Sequence, residues 1–427
     1  MSTYVHDQLE RRRRALGPTY THFYQEPLEL VRAEGVWMFD STGKKYLDAY
    51  NNVPAVGHCH PLVVEALARQ ASRLNTHTRY LSREPTELAE RLLSTMPPDI
   101  QNVVFTCSGS EANDLAIRIS KFVTGGTGFI VTPHAYHGTT ELTSGMSPSM
   151  KGYAKGKDVY ITSAPLGDEG PSGFVLGVKA CLEKMRADGV KPAGLLIDTI
   201  VSSDGLCINP PGFLQEAVQA VRDAGGLFVA DEVQPGFGRM GWGMWGFELH
   251  GSIPDIVTMG KPMGNGHPIA ALAAKPEIMN AFAQRFGYFN TFGGNNVSCA
   301  VALAVLDVIE NEGLIENSRS VGLLLKDGFR RLSSTYPAVV GEARGSGLYW
   351  GLDMLSGVET SDVVNGMRDA GVLISSMGSR KNTLKIRPPL IFSRENAELF
   401  LDALNKVLQL KMSSLERAAP RVLPHAV

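Results

Sequence analysis

Short apolar runs separated by amphipathic stretches constrain this chain more than any other feature. The runs are VVFT at 103–106, GFIVT at 128–132, GLLID at 194–198, GLFVAD at 226–231 and DIVTMG at 255–260. A run this short and this apolar fits a strand buried on both faces, and such strands need helices to cover them. The intervening segments supply those helices: Leu115, Ile119 and Phe122 recur at helical spacing within 111–123. The pattern predicts an α/β fold on a largely parallel sheet. Ligands of such folds sit beyond the carboxyl ends of the strands.

At 427 residues the chain is long enough for a large domain and a smaller one. Residues 296–311 read as a long helix rich in Ala, Val and Leu. After about residue 316 the pattern changes to helix, strand, helix, with GSGLYWGLD and LKIRPPLIF as strands. The expected division is an N-terminal segment, 1–60, packing with the small domain, a large domain at 61–315 and a small α+β domain at 316–427. The net charge of -2 gives no general attraction to nucleic acid. The run Arg11–Arg14 fits a solvated helix face. Cys59, Cys107, Cys181, Cys207 and Cys299 form no C-x-x-C pair and are odd in number, which argues against a disulfide framework or zinc site. The N-terminus lacks a signal-peptide apolar stretch and no apolar run is long enough for a bilayer, so a cytoplasmic protein without a membrane partner is expected.

Three loops carry the chemistry. In SGSEAND, Ser108 and Ser110 flank Gly109 where a strand gives way to a helix, a ready site for one phosphate. A plain N-cap with Ser110 as the capping residue is the competing reading. GGLFVADEV delivers Asp231 and Glu232 at a strand end. TMGKPMGNG places Lys261 between an apolar strand and a Gly/Pro-rich loop, where a lysine crowded away from water loses its proton and attacks aldehydes. Pyridoxal phosphate requires these three: a phosphate cradle, a lysine for its aldehyde and a carboxylate for its ring nitrogen. Tyr136, followed by His137 and Gly138, offers a ring to stack on it, and Thr291 in FNTFGGNN offers a further hydroxyl. The stretch Gly236–Gly241 matches G-x-G-x-x-G, but Pro235 before it and GWGMWG around its end are loop composition, which argues against a dinucleotide site. His58, Cys59 and His60 fit a packed turn before Pro61 better than a metal site, for want of further ligands.

With these residues in view, the chain resembles the class III aminotransferase family of fold type I pyridoxal-phosphate enzymes. WMFDSTGKKYLDAY, GHCHP, SGSEAND, AYHG, ADEVQPGFGR, GKPMGNGHP, FNTFGGNN and KIRPPL carry the resemblance, in that order. It implies a mostly parallel seven-stranded sheet in the large domain. It implies that Lys261 binds the cofactor aldehyde, Asp231 pairs with the ring nitrogen, and Val233 and Tyr136 sandwich the ring. Gly109 and Ser110, with Ser108, would hold the phosphate, His137 and Gln234 would complete the cofactor's surroundings, and Thr291 would reach the phosphate of the neighbouring subunit in a homodimer, alone or as half of a tetramer. Within the family, NNVPAVGHCHP, LNTHTRYL, GKDV, GKPMGNGHP, VSCAVALAVLDVIENE and LKIRPPL are similar to the ethanolamine-phosphate phospho-lyases and their phosphohydroxylysine relatives.

The chain departs from the family's aminotransferases where they bind a substrate carboxylate. Lys385 stands where an arginine is usual and Arg387 adjoins Pro388; Asp198 and Val201 replace a glutamate and a glutamine. The expectation is that Arg79 and Arg387, with Asn52 and Lys385, hold the phosphate of a small phosphorylated amine, because a dianion that must be desolvated needs planar cationic donors. Elimination of phosphate from phosphoethanolamine is then the favoured activity, and amino transfer of the ω-amine or alanine:glyoxylate type the alternative.

Overall fold

The computed structural model describes residues 3–418 except 379, so the extreme ends of both terminal segments lie outside the described residues. Seven strands form the central sheet. They are β1 (Asn102–Thr106), β2 (Gly128–Val131), β3 (Val159–Ile161), β4 (Pro192–Asp198), β5 (Leu227–Asp231), β6 (Ile256–Met259) and β7 (Ala270–Ala274). Their order is β1-β7-β6-β5-β4-β2-β3. Only β7 runs against its neighbours, β1 and β6; the other neighbouring pairs are parallel. Strand β7, AALAA, shows why both faces must be covered: Ala271 and Ala273 join one hydrophobic core while Leu272 and Ala274 join another. The helix Gly109–Thr124 buries Leu115 and Ile119, whereas Phe122 is partly exposed and meets Phe282 and Phe286 edge-on.

Two smaller sheets flank this one. Leu30–Glu34, Trp37–Asp40 and Lys45–Asp48 pair in sequence, and Lys45–Asp48 then takes Val372–Leu373 as a parallel neighbour, joining the two ends of the chain. Val340–Ser346, Tyr349–Met354, Thr383–Ile386 and Ser375–Met377 make the other. Two expected strands change here. GSGLYWGLD is a hairpin, turned at Gly347 and Leu348. LKIRPPLIF leaves the sheet after Ile386, because Pro388 and Pro389 have no N–H to donate. The exit places Arg387 at the strand end, with its N–H bonded to the Ala49 carbonyl at 2.9 Å.

The remaining motifs are structural. Arg11–Arg14 are exposed on the helix Thr3–Leu16. His58 is 2.7 Å from Asp48 and His60 is 3.2 Å from Glu312, in the turn before the helix Pro61–Ala71. The glycine stretch 236–241 is a buried loop. All five cysteines are free thiols. Among the described residues, no helix is long and apolar enough to cross a membrane.

Candidate active site

Adjacent parallel strands β4 and β5 end side by side at Asp198 and Asp231, and β6 runs through Gly260 to Lys261. Asp231 is buried and held by three donors. Its Oδ1 accepts from the Val233 N–H at 3.1 Å, and its Oδ2 accepts from Asn113 Nδ2 at 2.9 Å. His137 Nδ1 lies 2.8 Å from the same Oδ2 and donates to it. Asn113 is itself fixed: it donates to the His137 carbonyl at 2.8 Å and accepts from Thr258 Oγ1 at 2.6 Å. Charge-assisted bonds of this kind set a carboxylate in one orientation. His137 therefore stands behind Asp231 as a positioning group.

The Lys261 side chain makes no hydrogen bond or ion pair among the described residues, and the residue's φ of 22° lies in the left-handed region. Burial and the charge of Arg387 push its amine down to about 8, against the opposite pull of Asp231 and Asp198. Asp198 is pushed up to about 6, chiefly by burial, although Ser202 and the Ile200 N–H bond to it.

The start of the helix Gly109–Thr124 faces this group. Ser108 Oγ accepts from the Glu111 N–H at 3.3 Å and Glu111 Oε2 accepts from the Cys107 N–H at 2.7 Å, so the capping residue is Ser108 and not Ser110. Ser110 Oγ instead accepts from the Thr139 N–H at 3.2 Å. Two glycines keep the space open. A Cβ on Gly109 would come 2.9 Å from the Val233 side chain, and one on Gly138 would come 2.6 Å from Ser110 Oγ. Tyr136 is 43 % exposed at the same turn.

A second cluster centres on Gln234. Gln234 Oε1 accepts from Arg387 Nη1 at 2.6 Å and from Asn52 Nδ2 at 3.0 Å. Gln234, which the family resemblance sets in the cofactor's surroundings, thus bonds both Arg387 and Asn52. Arg387 is 6 % and Asn52 1 % exposed, and Arg387 Nε and Asn52 Oδ1 have no hydrogen-bond partner among the described residues. The Arg387 guanidinium lies 4.7 Å from the Tyr50 ring centroid. Lys385 Nζ lies 5.8 Å from the Tyr349 ring, and burial with the charges of Arg387 and Lys261 holds its amine well below the usual lysine range. Neither Arg387 nor Lys385 has a carboxylate ion-pair partner among the described residues.

Arg79 and Thr291 stand outside this group. Arg79 is exposed, with its guanidinium 4.0 Å from the Phe289 ring centroid. Thr291 is exposed on the same loop, which Asn290 anchors through the Phe292 and Gly293 N–H groups and Glu111. The structure joins neither residue to Asn52 or Arg387. Sequence reasoning missed Asn113 and Thr258; the available signal was a polar residue at 113 on a helix face otherwise occupied by Ala112, Leu115 and Ala116.

Known proteins bear on this arrangement directly. The family described as Aminotransferase class-III matches residues 19–408. The chain belongs to the class III aminotransferase family. It is 38% identical over 97% of its length to a Drosophila melanogaster protein called alanine–glyoxylate aminotransferase 2-like, covering 90% of that protein. It is 36% identical over 94% of its length to ethanolamine-phosphate phospho-lyase homolog 1 of Caenorhabditis elegans, covering 93% of it. Among solved structures, a phospholyase from Arthrobacter in complex with phosphoethanolamine superposes with a TM-score of 0.91 at 39% identity, over 94% of this chain and 99% of that one. Class III enzymes use pyridoxal phosphate, and this site fits it: a buried lysine without an ion-pair partner among the described residues, an oriented carboxylate and a helix start cleared by Gly109 all stand at strand ends of one sheet.

Proposed function

We propose that this class III enzyme eliminates phosphate from O-phosphoethanolamine to give acetaldehyde, ammonia and phosphate. The observation that carries the reading is buried Arg387, unpaired with any carboxylate among the described residues and bonded through Gln234 to Asn52. A buried cation without a counter-ion costs stability unless a ligand supplies the charge. A phosphate dianion is the matching ligand, and phosphoethanolamine in the Arthrobacter neighbour supports the choice.

When bound, pyridoxal phosphate supplies an aldehyde for the substrate amine and a ring that withdraws electrons. Asp231 holds the ring nitrogen protonated, with Asn113 and His137 fixing its orientation. Ser108, Gly109 and Ser110 bind the cofactor phosphate, and Val233 and Tyr136 flank the ring. Lys261 Nζ takes the proton from the carbon that bears nitrogen. Arg387, Asn52 and Lys385 hold the substrate phosphate and stabilise the charge it gains as the C–O bond breaks, with the bonding pair leaving on oxygen. The remaining enamine takes up water and yields acetaldehyde and ammonia. The active unit is a homodimer in which Thr291 serves the partner's cofactor phosphate. Arg79, stacked on Phe289 two residues from Thr291, enters the substrate site across the same interface.

The test is phosphate release from O-phosphoethanolamine by the cofactor-loaded protein, beside conversion of the cofactor to its amine form by L-alanine. Phosphate release without the amine form is the expected result. Amine formation without phosphate release would make the chain an aminotransferase and remove the proposal.

A further inference from the structure

The glycine stretch that fails as a dinucleotide site has another use, and Arg239 within it carries the argument. Its side chain is 2 % exposed, yet no carboxylate pairs with it among the described residues. Both ends of the residue are clamped. Its carbonyl accepts from the Leu348 N–H at 2.9 Å and from Ser318 Oγ at 2.8 Å. Its guanidinium donates back to the Leu348 carbonyl at 3.2 Å and also to the Pro388 carbonyl. Pro388 directly follows Arg387, and the loop that holds Arg239 also holds Gln234, the acceptor for Arg387 Nη1.

Arg239 therefore closes a triangle. One side is the Gln234–Arg387 bond, another is the loop from Gln234 to Arg239, and the third is the bond to Pro388. The loop follows this path because Phe237, Gly238 and Gly241 adopt positive φ, and a Cβ on Gly241 would come within 2.8 Å of the Arg319 backbone. Burial and the neighbouring Arg387 push the Arg239 guanidinium down to about 9, which leaves it charged at neutral pH. Arg239 Nη2 and Arg387 Nε are both buried without hydrogen-bond partners among the described residues. Two adjacent buried guanidiniums repel each other, and an anion beside them relieves that repulsion.

We propose that Arg239 is a positioning residue for the substrate-phosphate site, holding the Arg387 turn in place and adding positive charge behind it without touching substrate. This rests on the function proposed above. It makes Arg387 a fixed donor, whose binding energy is not spent on ordering a flexible side chain.

The experiment is steady-state kinetics on O-phosphoethanolamine with the cofactor-loaded dimer, paired with competitive inhibition by inorganic phosphate. In Arg239→Gln, KM and the phosphate inhibition constant should both rise about tenfold, with kcat and cofactor affinity within about twofold of wild type. Arg239→Lys keeps the charge and loses the fork, so its constants should fall between the two. Unchanged KM and phosphate inhibition in the Gln variant would overturn the proposal, as would a parallel fall in kcat, cofactor affinity and melting temperature. If the Gln variant does not fold, the Lys variant decides: a several-fold higher KM at unchanged kcat supports the role, and an unchanged KM removes it. A wild-type protein that neither releases phosphate nor is inhibited by it sinks the function and this inference together. Wild-type activity with indifferent variants sinks this inference alone.

Discussion

At the scale of the residue, Lys261 shows how position creates reactivity. An exposed lysine is protonated at neutral pH and inert toward aldehydes. Here burial and Arg387 lower the amine to about 8. Protonation in the folded state is therefore disfavoured, and the unprotonated fraction rises through about pH 8. Capture of pyridoxal phosphate by the apo-protein should accelerate about tenfold per pH unit below that point and level off above it. Stopped-flow absorbance over a pH series checks this. A rate still climbing at pH 10 would mean an ordinary lysine. Lys261→Ala should bind cofactor without the covalent absorbance and should release no phosphate. Gly109 matters for the opposite reason, since the missing side chain leaves room before Val233.

At the scale of the element, each strand end delivers one group and a neighbouring element aims it. Asp231 comes from β5, but Asn113 on a helix and Thr258 on β6 decide where its Oδ2 points. Asn113→Ala would leave a buried carboxylate oxygen and the Thr258 hydroxyl each short of a partner. The expected cost is about 1–3 kcal/mol, read as a lower urea midpoint of the apo-protein together with faster cofactor loss. Unchanged cofactor retention would show that His137 and Val233 suffice. The strands that end at the site were legible because their composition is β-branched and apolar. Strand β7 was not, because alanine favours helix and only packing between two cores makes AALAA a strand. Strand β3 has three residues, too few for a period to register. The motif Ser108–Asp114 pointed to the phosphate cradle, while the Ser108 cap and the Gln234 bridge depend on side-chain directions that spacing does not encode.

At the scale of the whole molecule, two of the proposed site residues stand apart from the rest. Asn52, Gln234, Arg387 and Lys385 gather around Lys261, whereas Arg79 and Thr291 face outward together beside Phe289 and Phe292. If Arg79 acts in its own subunit, a lesion there and a lesion at Lys261 cannot compensate when they sit in different chains of a dimer. If it acts across the interface, they can. In a mixed dimer of Lys261→Ala and Arg79→Ala, the subunit that keeps Lys261 receives an intact Arg79 from its partner, and the other site carries both lesions. Random pairing makes half the dimers mixed, with one good site each, so co-expression should restore about a quarter of wild-type activity for a two-fold symmetric pair. The assay belongs at limiting phosphoethanolamine, where the Arg79 variant alone is slow. Recovery would place Arg79 in the neighbouring site and make assembly a condition of substrate recognition. Activity no greater than the sum of the two separate variants would exclude a role for Arg79 in the neighbouring site, and with it the claim that substrate recognition requires assembly.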